Sequence, residues 1–193
     1  MAISTLNLQS FGLTDPGADK TIMWDDSASA LAITGPGGDK HTLVGSVWRL
    51  NTSFTGDANP IDANLEVVDT DGYGSLGSAM SESSGIFTFP STGVWYIKAQ
   101  LGCSSTGAIA YHTIAIHTTT DNSSYGSAAD CNANFAHSSG TYHGSASCDC
   151  ILDVTNTTNC KVKFVVDNAA SQSTKGNTGN NSTYFVFIRL GDT

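Results

Sequence analysis

The residues of this sequence best able to hold a metal, move a proton or form a covalent intermediate are its five histidines and five cysteines. Their spacing speaks against each of those uses. His112 falls inside an apolar alternating run, His117 near the end of the same run, and His41, His137 and His143 in polar connecting sequence. None has the His-x-x-x-His spacing that stacks two imidazoles on one helix face. His137 and His143 with Asp130 or Cys131 could share an ion, but no ligand spacing organises them, so no metal is expected. Cys103, Cys131, Cys148, Cys150 and Cys160 are an odd set without Cys-x-x-Cys pairs. They read as small core-filling thiols of a protein made in a reducing cytoplasm, with a disulfide among them left open. Asp69-Thr70-Asp71-Gly72 begins like a calcium loop but lacks the acidic residue that closes one, which leaves an ordinary Asp/Gly turn. Glu66 and Glu82 could face each other as a glycosidase pair, an arrangement that any loop-rich β protein offers. With no Gly-x-Ser-x-Gly elbow and no Cys–His pair on opposed elements, neither an enzyme nor a cofactor is expected.

A surface poor in charge surrounds these residues. Charged residues make up 13% of the chain against 39% hydrophobic, and 8 Lys and Arg face 17 Asp and Glu for a formal net charge of −9. A basic stripe for a phosphate backbone is missing, so nucleic acid is not an expected partner. The abundance of Ser, Thr, Asn and Gly gives a hydroxyl- and amide-rich exterior, suited to a particle exposed to water and salt. No run approaches the ~20 apolar residues of a membrane span, and MAISTLNLQSFG lacks the basic-then-apolar order of an export signal. Neither membrane insertion nor standard secretion is therefore expected. The Asn-x-Ser/Thr sequons at Asn51 and Asn156 are of the kind that such a composition generates by chance.

The elements that would position these residues are strands. At 193 residues the chain suits one globular domain with a short additional segment. Short runs of apolar alternation, bounded by Gly, Asn, Ser and Pro, predict strands at 43–50, 64–68, 85–89, 94–101, 109–118, 145–154, 160–167 and 183–190. Eight strands at this spacing mean a sandwich or barrel. In CKVKFVVD, Cys160, Val162, Phe164 and Val166 share one face, and Lys161, Lys163 and Asp167 share the other. The last run, TYFVFIRL, is apolar on both faces and predicts that a neighbouring subunit covers the second one. Residues 1–40 differ in character: two Pro-Gly turns flank a short Ile-Met-Trp run, which predicts an extended arm ending at a Gly-Pro-Gly-Gly hinge before a head at 41–193. The stretch 118–144 reads as a polar excursion with one ill-defined strand near 131–136, and 168–181 as a flexible loop.

The segment GIFTFPSTGVWYIKAQLG, followed near the end by STYFVFIRLG, resembles the jelly roll shared by tumour necrosis factor ligands and the complement globular head. Phe87, Phe89, Pro90, Gly93, Trp95 and Tyr96 carry the first motif, and Tyr184, Phe185 and Phe187 the second, over roughly residues 43–191. Read from the residues alone, PSTG is a four-residue connection that would close an antiparallel hairpin between two aromatic strands. The resemblance implies an all-β, antiparallel jelly-roll sandwich that is trimeric, with Tyr184, Phe185, Phe187, Trp95 and Tyr96 at the trimer interface.

The arm carries a second resemblance. DPGADKTIMWDDSASALA is similar to a segment reading D-P-x-A-D-x-I-x-x-W-D-D-S-A-x-A-L in tail-fibre and other virion proteins of bacteriophages, departing mainly at Lys20 and Met23. Its residues read as a short strand at 21–24, an Asp-Asp-Ser turn and a second short strand. The resemblance implies virion attachment through Ile22, Trp24, Asp25, Asp26 and Leu31. The expected function is a trimeric capsid decoration or cement protein that binds the major capsid protein or another virion protein and resides in the virion. The alternative is a receptor-binding tail or head fibre that presents its Ser/Asn/Gly-rich loops to a host glycan. A cytokine-like extracellular ligand would want a secretion signal, and a polysaccharide-cleaving virion enzyme ranks last.

Overall fold

A computed structural model describes residues 21–25, 30–34, 43–70, 72–136, 140–169 and 172–193, the first two of these stretches as backbone. The chain divides into two compact units, 1–42 and 43–193. In the first, β1 (Thr21–Asp25) and β2 (Ala30–Thr34) pair antiparallel with Trp24 opposite Leu31 and Ile22 opposite Ile33. β1 thus takes in Asp25, the first residue of the expected Asp-Asp-Ser turn, which pairs with Ala30.

The second unit is built from β3 (Gly45–Leu50), β4 (Thr52–Thr55), β5 (Leu65–Val67), β6 (Ser81–Ser83), β7 (Ile86–Thr88) and β8 (Gly93–Ser105), then β9 (Ile109–Thr119), β10 (Gly126–Phe135), β11 (Tyr142–Val154), β12 (Lys161–Asn168), β13 (Ser173–Asn177) and β14 (Tyr184–Gly191). No described residue is helical. One sheet runs β10-β9-β12-β7-β6; the other runs β4-β13-β8-β14-β3-β5 with β11 on the free edge of β8. All pairings are antiparallel, and the unit is a jelly-roll sandwich.

Side chains alternate across each strand, so the two sheets close over one set of residues. Trp48 on β3, Trp95, Ile97, Ala99 and Leu101 on β8, and Phe185 and Phe187 on β14 come from one sheet; Phe87, Ile114, Ile116, Val162 and Phe164 come from the other. Phe164 stacks on Phe185 with centroids 3.8 Å apart, and Phe87 meets Trp48 edge-on at 5.3 Å. Such contacts add about 0.5–1.5 kcal/mol each to the area that the rings bury.

The PSTG connection is not a hairpin. β7 pairs with β6 and β12, whereas β8 pairs with β11, β13 and β14, so the four residues carry the chain from one sheet to the other. Phe89 and Trp95, at its two ends, are both buried and meet at 5.2 Å. Gly93 is required there: its φ is 135°, and a Cβ would run into the Gly191 carbonyl oxygen at the end of β14.

β10 extends the ill-defined strand expected near 131–136 back to Gly126, and β13 occupies sequence expected to be loop. β10 pairs with β9 from Gly126 to Phe135 although its residues are mostly small and polar, and β13 bridges β4 and the end of β8. The ladder holds both, with burial added by Ala133 and Phe135 at the end of β10 and by Thr174 on β13.

Candidate functional site

The outward face of the larger sheet is the candidate site. Core-facing residues fix its composition by alternation: with Phe185 and Phe187 inside, Tyr184, Val186 and Ile188 point outward from β14, and Leu190 is exposed at the irregularity between Arg189 and Gly191. With Trp95, Ile97 and Ala99 inside, Val94, Tyr96, Lys98 and Gln100 point outward from β8. On β11 the outward set includes Ser147, Asp149 and Ile151.

The register assembles these residues into rows. One row is Glu66, Arg49, Tyr184, Gln100 and Ser147. The next is Val47, Val186, Lys98 and Asp149, and the third is Gly45, Ile188, Tyr96 and Ile151. Leu76 bridges to Gly45 at the edge of the third row. The rows grade from polar to apolar. Ile151 is 65% exposed, Leu190 50% and Ile188 39%, and Leu43 and Leu76 are exposed beside them. This is a contiguous apolar stripe across β14, β8 and β11, the kind of surface that marks an association site.

The polar row is built differently. Arg49 is 1% exposed and donates from Nε to Glu66 Oε1 at 2.7 Å and from an Nη to Thr70 Oγ1 at 3.2 Å. Glu66 also accepts from Asn51 and Thr178. Burial alone would raise the Glu66 carboxyl, but the hydrogen bonds from Arg49, Thr178 and Asn51, with the Arg49 charge, outweigh it and hold the group below its ordinary value. At the border of the stripe Tyr96 donates to Asp149 Oδ2 at 3.3 Å, and burial followed by the Asp149 charge pushes its phenol upward, keeping it a donor.

Of the five residues expected at a trimer interface, the structure brings Tyr184 and Tyr96 to this face. Phe185, Phe187 and Trp95 are corrected: each is fully buried between the sheets and has no surface to offer a neighbour. The residues sequence reasoning missed are Ile151, Ile188 and Leu190. The signal was present in TYFVFIRL as the phase opposite to the phenylalanines. Of the expected attachment residues, Ile22, Trp24 and Asp25 lie on β1 and Leu31 on β2, and Asp26 lies outside the described residues.

The other candidates are dispersed. Glu66 and Glu82 belong to different sheets and are separately engaged, Glu82 accepting from the Gly85 N–H at 2.6 Å. His143 lies on β11 rather than in a loop, and His41, His137 and Asp71 lie outside the described residues. Among the described residues no three metal-ligating side chains cluster. His112 is buried between the sheets with Nε2 3.0 Å from Thr174 Oγ1. All five cysteines are free thiols, with Cys103, Cys148 and Cys160 buried.

No protein-family model matches the chain, and no curated protein sequence does. Solved structures do. Eiger TNF from S. frugiperda superposes with a TM-score of 0.58 over 79% of this chain and 96% of that one, at 13% identity. Murine APRIL superposes with a TM-score of 0.56 over 77% and 99%, at 9% identity. At such identity the likeness is one of fold: the second unit is a jelly roll of the tumour necrosis factor kind.

Proposed function

We propose that the chain is a non-enzymatic structural protein of a bacteriophage particle, a homotrimeric cement or decoration protein that stabilises the capsid. The observation that carries this reading is the exposed stripe of Ile188, Tyr96, Ile151 and Leu190 on the outer face of the sheet that holds the final aromatic strand. Copies that pack these faces around a common axis remove the stripe from water, at about 25 cal/mol per Å² of apolar surface buried. A three-fold arrangement is what the tumour necrosis factor resemblance implies, and it matches local three-fold points of an icosahedral shell, where several weak contacts act together. The arm, with the virion-type segment at 15–32, is the part proposed to engage the major capsid protein.

Particles with and without the protein, challenged by heat and by salt and scored for genome release, test the reading. Earlier leakage without the protein, with unchanged adsorption to host cells, is the expected result. Equal toughness with poor adsorption would overturn it in favour of a fibre tip that reads a host glycan. Deletion of residues 1–38 should leave a folded head that no longer joins particles.

A further inference from the structure

The two sheets meet along one side of the sandwich, where β10, which pairs with β9, packs beside β11, which pairs with β8. Cys131 on β10 and Cys148 on β11 come together at that junction. Both thiols donate to the same backbone oxygen, the Ile114 carbonyl, Cys131 at 3.9 Å and Cys148 at 3.7 Å. Cys131 is half-buried and Cys148 buried. The other thiols are placed differently: Cys103 points to the Gly144 carbonyl, and Cys160 is buried at the start of β12. Cys150 lies one alternation further along β11 and is half-buried.

We propose that Cys131 and Cys148 are a cross-linking site: a low-molecular-weight disulfide such as oxidised glutathione converts them to an intrachain disulfide that ties the smaller sheet to the larger one. The half-buried Cys131 reacts first. Its thiolate attacks one sulfur of the reagent, the reagent's S–S bond breaks, and one glutathione leaves as a thiolate that takes up a proton. Cys148 then gives up its proton and attacks the Cys131 sulfur of the mixed disulfide, releasing the second glutathione. The protein loses two electrons and two protons, and the reagent gains them. Burial pushes the Cys131 thiol up and the Cys148 thiol up to about 12, so the reaction is slow near neutral pH and accelerates in alkali. The new bond adds a covalent tie to sheets held by packing and by side-chain hydrogen bonds such as His112 to Thr174, and it constrains the unfolded chain. A rise in melting temperature of ~5–10 °C is expected.

The test uses the full chain in buffer with oxidised glutathione, followed by thiol titration in denaturant and peptide mass mapping. The expected result is the loss of two of the five thiols, one cross-linked peptide pair containing Cys131 and Cys148, and a melting temperature that returns to its starting value on reduction. Cys131→Ala, at the half-buried position, should melt with the untreated protein and no longer respond to the reagent; Cys148→Ala serves as the second variant. Five thiols remaining at equilibrium, a stable glutathione adduct without cross-link, or a cross-link joining another pair would each overturn the proposal.

Discussion

β14 has two apolar faces that are treated in opposite ways. Phe185 and Phe187 on one face are sealed by Phe87 and Phe164 of the other sheet, whereas Val186, Ile188 and Leu190 on the other face line the outside of the sandwich. Apolar character does not distinguish the two sets; alternation along the strand does. A phenylalanine that meets another sheet is spent on folding the chain. An isoleucine left facing outward at 39% exposure beside an isoleucine at 65% is available for association.

The largest effect should follow from opening the inner face. Phe187→Ala removes a fully buried ring from the aromatic cluster and should cost about 3–5 kcal/mol, read as a fall in the urea midpoint that is the same at every protein concentration. Next comes the polar row. Glu66→Ala leaves Arg49, 1% exposed, without its carboxylate and should cost about 3 kcal/mol by the same measurement. The paired change Ile151→Asp with Ile188→Asp should change the stability of the single chain by less than about 1 kcal/mol, because both side chains already meet water. Its effect should appear in light scattering, as a fall from the mass of an oligomer to that of one chain. Should this pair instead destabilise the chain as much as Phe187→Ala, the distinction between the faces fails.

Alternation made most of the sandwich legible. All eight runs read as strands are strands, and the apolar phase of CKVKFVVD faces the core as expected. What could not be read locally was decided by partners distant in sequence. β10 has few large apolar residues and exists because the β9 edge completes its ladder; β13 is Ser-Thr-Lys-Gly-Asn and is held between β4 and β8. The Phe89 and Trp95 pair suggested a hairpin because both are aromatic and lie either side of Pro90 and Gly93, yet the rings meet across the core, from a connection that changes sheet. The expected interface set mixed the two phases of β14, taking Phe185 and Phe187 from the buried face with Tyr184 from the outer one. Aromatic residues drew attention to Phe185 and Phe187, while Ile188 and Leu190, less conspicuous, hold the exposed face.

The buried His112 and the outer Glu66 titrate in separate windows. His112 is buried between β9 and β13, where burial depresses its imidazole pKa below the ordinary 6.5, against a smaller opposing pull from Asp57. As pH falls below 6.5 the unfolded chain takes up a proton that the folded chain resists, so stability declines until the depressed folded value is passed. Glu66, on the outer face, is also depressed, and its contribution is intact above 4.5 and is lost as pH falls through its lower folded value. Urea midpoints between about pH 7 and pH 5 therefore report on His112 inside the sandwich and His117 on the outer face of β9 before the Glu66 pair begins to titrate. His112→Gln, which keeps a hydrogen-bonding group opposite Thr174, should flatten that slope. The remainder belongs to His117, whose pKa burial and the Lys163 charge also lower. An unchanged slope would assign the whole dependence to His117 and leave the buried imidazole without a part in it.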